Sequence, residues 1–237
     1  MKKFSSFVVF IFLFSVHLFA QKEGDVIINE IGNGGTKKAM YSGADYVELL
    51  VIKPEGVKLA GWFLTDLSSP GGTAKETEGS IKFSDKEGSL FNQVLPKGTY
   101  ILICLGGPES AFGADAQKEI VEGNRIVVFA GESNLHIEKG EGTIGLTGKD
   151  NVALVSAWEK NSAIDIVTWQ GSTTWLGCEA TQLALETLEN GKIAFFTPTD
   201  GDFKNNTALQ TWVSSSETKD ATPGNVNKNV DDSFLKK

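Results

Sequence analysis

The chain has 237 residues, 41% of them hydrophobic and 10% aromatic, enough to build a full buried core. Its formal net charge of −8 argues against direct binding to nucleic acid, where Lys and Arg must neutralise phosphates. Two cysteines and two histidines leave too few soft ligands for a zinc site or a multi-disulfide framework.

Residues 1–20 carry Lys2 and Lys3, an apolar run from Phe7 to Val16, and the close Leu18-Phe19-Ala20, the pattern of a secretory signal peptide. The apolar run is roughly ten residues, against the about 20 that span a bilayer as a helix. No Cys stands near Ala20 to take a lipid. The sequence therefore predicts a protein exported to the periplasm, cell surface or medium, with no transmembrane segment once the signal is cleaved. Without Lys2 and Lys3, 20 basic residues face 30 acidic ones, a net of −10.

Beyond the signal, the chain consists of short runs of β-branched, aromatic and aliphatic residues punctuated by Gly, Pro, Asn and Asp. In chain order the predicted strands are 26–31, 46–52, 62–65, 80–83, 100–105, 126–129, 143–146, 152–158 and 164–169. Such a series suits an all-β sandwich of two antiparallel sheets. In the second strand Val47, Leu49 and Val51 share one face while Tyr46, Glu48, Leu50 and Ile52 share the other. Both faces are largely apolar, so this strand belongs at a sheet centre or under a covering loop. Gly32-Asn-Gly-Gly35 and 68–72 read as turns, and 70–79 as a polar loop.

Segments 106–140 and 171–208 are expected to be loop insertions. Inside the second, Ala180, Leu183, Ala184, Leu185 and Leu188 have the spacing of a short helix over 179–190, stopped by Asn190-Gly191. Residues 21–227 make one domain, and 228–237 read as a disordered tail.

Chemistry is sparse. Nucleophilic catalysis by Ser or Cys needs a neighbouring base, and His136, the one histidine of the mature chain, lies in a polar stretch that reads as an exposed loop. The glycine-rich run 140–149 lacks phosphate-loop spacing and is better read as a hairpin or strand edge. Carboxylates are plentiful: Glu30, Asp45, Glu48 and Asp66 fall at or beside the ends of early strands. Brought together, they could serve as an acid and base pair or hold calcium through oxygen ligands. The favoured reading is structural, with Glu30 and Glu48 accepting hydrogen bonds from turn N–H groups. Among the aromatics, Trp62 and Trp169 fall inside strands and read as core, whereas Trp175 and Trp212 are candidates for an exposed binding surface. Trp158 belongs to the same C-terminal set. Cys104 and Cys178 could form one disulfide or remain two buried thiols.

A family comes into view from the order of the motifs. Val26-Ile-Ile-Asn-Glu-Ile31, Gly43-Ala-Asp-Tyr-Val-Glu-Leu-Leu50 and Val57-Lys-Leu-Ala-Gly-Trp-Phe-Leu-Thr-Asp66 resemble the opening of bacterial lamin-tail domains. Leu95-Pro-Lys-Gly98, the later strands at 151–155 and 164–169, and Ala221-Thr-Pro-Gly-Asn225 are similar to the rest of that pattern. The chain departs from it where Val47–Pro54 lacks the usual polar bend after Glu-Leu, and in its two long segments. The resemblance implies an immunoglobulin-like sandwich of the kind found in exported bacterial proteins, with no catalytic residues to carry over. The expected function is a non-catalytic binding or structural module, without cofactor, that meets protein or glycan at the cell envelope. The alternative is a carboxylate- or calcium-dependent hydrolase.

Overall fold

Runs in which successive residues are all apolar cannot leave either face of a strand in water, and such runs form the centre of this molecule. The computed structural model describes residues 25–34, 45–66, 79–106, 119–139, 144–157, 162–170, 174–175, 178–179, 181–182, 188–189, 191–198, 212–216, 220, 222, 225–227, 230–231, 233 and 235. Its strands are β1 (Val26–Asn33), β2 (Tyr46–Val51), β3 (Phe63–Thr65), β4 (Ser80–Phe83), β5 (Tyr100–Cys104), β6 (Ile120–Glu122), β7 (Arg125–Phe129) and β8 (Leu135–Lys139). They continue with β9 (Asp150–Val155), β10 (Ala163–Trp169), β11 (Thr174–Trp175), β12 (Cys178–Glu179), β13 (Thr181–Gln182), β14 (Lys192–Phe196) and β15 (Trp212–Ser215).

The chain is an all-β sandwich. One sheet has seven strands in the order β15-β14-β1-β2-β5-β7-β6, the other six in the order β13-β10-β9-β3-β4-β8, and β11 pairs with β12 alone. Val47, Leu49, Ile101, Ile103 and Phe196 of the first sheet share a core with Leu64, Ile81, Leu154, Val167 and Trp169 of the second. Between the layers, the Ile28 N–H donates to Asp165 Oδ2 at 2.6 Å. The Trp169 indole is fully buried and donates to the Thr147 carbonyl at 2.9 Å. Phe91, on a short 3-10 turn at Leu90–Asn92, closes one end by packing edge-on to Phe83 with ring centroids 4.8 Å apart. Strand β2 lies between β1 and β5 and is buried throughout, as two apolar faces require.

Most pairs are antiparallel, but β5 with β7 and β10 with β13 run parallel. The hairpin joining β6 to β7 turns at Gly123, whose φ of +58° suits a residue without Cβ.

Several expectations are corrected. The segments read as loop insertions carry strands beyond the predicted β7: β6 and β8 also lie in 106–140, and β11 to β14 lie in 171–208. Strand β14 sits between β1 and β15, inside the seven-stranded sheet. The predicted helix begins instead as β12 and β13, and Leu188 is a buried coil residue whose N–H reaches the Gly148 carbonyl at 3.0 Å. Leu183 to Thr187 lie outside the described residues. His136 belongs to edge strand β8, half-buried, with Nε2 3.3 Å from Ser84 Oγ.

The predicted strand at 143–146 does not form over its described residues, because their N–H groups turn to side-chain carboxylates. Gly32 and Asn33 belong to β1 and not to a turn. Finally, the segment read as a disordered tail has Val230 packed against the core and Leu235 only 9% exposed. The signal segment, Trp158, loop 70–78 and residues 199–211 lie outside the described residues.

Candidate functional site

Partners opposite one another on paired strands share a face, so register alone assembles the carboxylate site. Across the seven-stranded sheet, Phe195 of β14, Glu30 of β1, Glu48 of β2, Leu102 of β5 and Val127 of β7 form one transverse row. The adjacent row on that face runs Ile193, Gly32, Tyr46, Cys104 and Phe129. Two acids thus stand side by side within an apolar cluster on the face turned away from the sandwich core. Both are 0% exposed.

Each acid is held by the fold. The Tyr46 hydroxyl donates to Glu30 Oε1, and the Thr222 N–H and hydroxyl both reach Glu30 Oε2 at 3.2 Å. A register shift between Ile28 and Glu30 bulges Asn29 out of the β1–β2 ladder, and its Nδ2 donates to Glu48 Oε1 at 2.7 Å. Asn227 Nδ2 then bonds the Asn29 carbonyl at 3.1 Å, Asn29 Oδ1 at 3.1 Å and the Phe196 carbonyl at 2.8 Å. Burial pushes the Glu30 carboxyl up to about 7, against the pull of the Tyr46 and Thr222 hydrogen bonds. Gly32 makes this geometry possible: a Cβ there would stand 2.0 Å from Tyr46 Cε1, so the phenol ring occupies the space that a side chain would need.

The other two acids sit elsewhere. Gly145 N–H donates to Asp66 Oδ2 at 3.1 Å, Leu146 N–H to Asp45 Oδ2 at 3.0 Å, and Thr147 N–H to Asp150 Oδ2 at 3.0 Å. Three consecutive amides are thereby tied to three carboxylates, which is why 144–147 forms no ladder. Asp45 Oδ1 also takes the Gly34 N–H at 2.9 Å, joining the end of β1 to this loop. Burial raises the Asp45 carboxyl above its ordinary value, opposed by these two amides.

The structure therefore pairs Glu30 with Glu48 in register and turns Asp45 and Asp66 to the 145–146 amides, so the four acids are not brought to one site. Among the described residues no group of three or more His, Cys, Asp or Glu side chains is arranged to hold a metal ion. An acid and base pair needs a cleft that admits substrate, and Glu30 and Glu48 are sealed from solvent.

Trp212 is corrected as a surface candidate: it is 7% exposed, with its ring 5.9 Å from that of Phe196. Trp175 lies on β11, but its ring is outside the described residues, as is the Cys178 side chain. Cys104 carries a free thiol, buried in the outer apolar cluster and pushed up to about 12 by burial. At that value it stays protonated and inert.

A concavity open to solvent lies elsewhere among the described residues. A groove of about 440 Å³ runs between the turn after β4 and the turn before β8, lined by Ser84, Lys86, Ser89, Gln93, Ser133 and Asn134. Asn134 builds it: its Oδ1 takes the Leu90 N–H at 3.0 Å and its Nδ2 donates to Glu119 at 2.6 Å, fixing one turn against the other. Tyr46, Thr222, Asn227, Asp150 and the groove residues were not singled out in the sequence. The Thr-Pro-Gly motif marked the position of Thr222 without its role.

No protein-family model matches the chain, and no curated protein matches it. Among the described residues no helix is long and apolar enough to cross a membrane.

Proposed function

We propose that this chain is an exported β-sandwich module of lamin-tail type that binds protein or glycan at the cell envelope and performs no chemistry of its own. The observation that carries the reading is the use made of its acids. Glu30, Asp45, Glu48 and Asp66, the groups that acid–base or calcium chemistry would require, accept hydrogen bonds from Tyr46, Thr222, Asn29 and the 145–146 amides. Carboxylates committed in this way stabilise the sandwich and are not presented to a substrate. Three lamin-tail-like motifs supply this network: Asn29-Glu30, Tyr46-x-Glu48 and Thr222.

A binding role then falls to the exposed loops. The groove beside Asn134 offers hydroxyls, amides, one cation and one anion around an open floor, a surface suited to the hydroxyl-rich and amide-rich groups of glycans and loops. Replacing Gln93 with a photo-crosslinking residue in producing cells tests this. Irradiation is expected to attach an envelope protein or polysaccharide there and not at exposed Glu55, which serves as the control. Equal capture at both positions, or capture at neither, contradicts the assignment.

A further inference from the structure

The C-terminal segment is fastened to β1 through Glu30. Thr222 contributes both its N–H and its hydroxyl to Glu30 Oε2, and its hydroxyl lies 3.0 Å from Asn227 Oδ1. Asn227 in turn holds Asn29, the residue before Glu30. Downstream, Val226 and Val230 pack against the core and Leu235 lies over Gly98. One carboxyl group therefore stands under the anchor of a segment whose grip extends to Leu235.

The groups around Glu30 make its charge state consequential. From β2, Glu48 is its cross-strand neighbour and Tyr46 its hydrogen-bond donor. From β14 it faces Phe195, and Cys104 of β5 stands behind Tyr46. From β10, Asp165 occupies the Ile28 amide one residue beyond the bulge, and on the segment itself Asp220 takes the Ser215 hydroxyl. Among the described residues, the hydrogen-bond partners of Glu30 are Tyr46 and Thr222, neither of them a cation. Glu30 is 0% exposed, so a charge on it is held without solvent, and burial disfavours that charge.

We propose that Glu30 is a proton-controlled latch: with its carboxyl protonated the C-terminal segment stays closed over β1, and loss of that proton to solvent base releases Thr222 and Asn227. The balance is a simple acid dissociation, in which Glu30 gives up one proton and gains one negative charge. Opening the segment lets water reach Glu30 and solvate that charge.

The direction is set by linkage. The Glu30 carboxyl is raised from 4.5 to about 7 in the closed form. The closed state is therefore fully favoured below the ordinary carboxylate range, and loses ground as pH rises to about 7. Across that window opening grows about tenfold per pH unit and levels off above it.

Hydrogen exchange of the full-length protein, read on peptides covering 222–235 and corrected for the intrinsic pH dependence of amide exchange, tests the latch. Opening is expected to increase roughly 100-fold from pH 5 to pH 7, while peptides covering β5 stay protected. Glu30→Gln keeps the shape of the side chain but cannot ionise, and is expected to flatten that rise. Should it fail to fold, Thr222→Val provides the second arm: it is expected to open the segment already at pH 5 with β5 still protected. Exchange of 222–235 that does not change with pH in the wild-type protein overturns the proposal. So does an equal rise in β5, which would report unfolding of the whole molecule.

Discussion

Gly32 shows how far a single position can constrain the site. Read in the sequence beside Asn33, Gly34 and Gly35 it looks like turn chemistry, yet it lies in the middle of the outer face, under the Tyr46 ring. Its value is the missing Cβ, and no backbone preference of glycine would have revealed that. Gly32→Ala is expected to displace the ring and break its bond to Glu30, lowering stability by about 1–3 kcal/mol. Urea unfolding followed by tryptophan fluorescence measures this, and an unchanged midpoint would mean that the ring does not need the space. Acids were legible as positions but not as partners: Glu30 and Glu48 could be placed near strand ends, while the donors that hold them come from Thr222 and Asn29. A contact between residues 192 positions apart in the chain has no local signature.

At the scale of elements, strands with strong apolar alternation were readable. Strands β1, β2, β3, β4, β5, β7, β9 and β10 fall where the apolar and β-branched runs predict, within a few residues at their ends. Those missed were short or mixed in character. Strand β6 holds Ile120, Val121 and Glu122, with Val121 59% exposed, so burial leaves little pattern on it. Strand β8 is a sheet edge with Ile137 43% exposed, and an edge strand tolerates the polar residues that made it look like a loop. Strand β14 did carry a pattern, Ile193 and Phe195 on one face and Ala194 and Phe196 on the other, but it comes after a stretch whose leucines mimic a helix.

This matters for how the protein is cut. Deleting residues 171–207 would remove β14 from between β1 and β15, stripping β1 of its partner from Glu30 to Asn33. The shortened protein is expected not to fold, losing its strand signal in far-UV circular dichroism and its cooperative melt. A folded deletion product would show that β14 is dispensable and that the seven-stranded sheet closes without it.

For the whole molecule, the sandwich class and the apolar core were readable from composition and alternation, whereas the distribution of charge was not. An acidic chain invites a search for a metal or a pair of catalytic carboxylates. Folding sends those acids to separate tasks: Glu30 and Glu48 tie the C-terminal segment and the β1 bulge to the outer face, and Asp45, Asp66 and Asp150 tie the 145–147 amides to the strand ends. For the aspartates, each bond to the charged acceptor contributes on the order of 1.5–3 kcal/mol. Acids used in this way act as cross-links between segments distant in sequence.

The most direct test is thermal melting of the purified protein with and without millimolar calcium, for wild type and Glu48→Gln. A site filled to 100 times its dissociation constant would stabilise the fold by about 2.7 kcal/mol, a shift of several degrees. Acids committed to the fold predict no calcium-dependent change in Tm for wild type. A rise of several degrees with calcium that disappears in Glu48→Gln would contradict the account and return these carboxylates to a metal site.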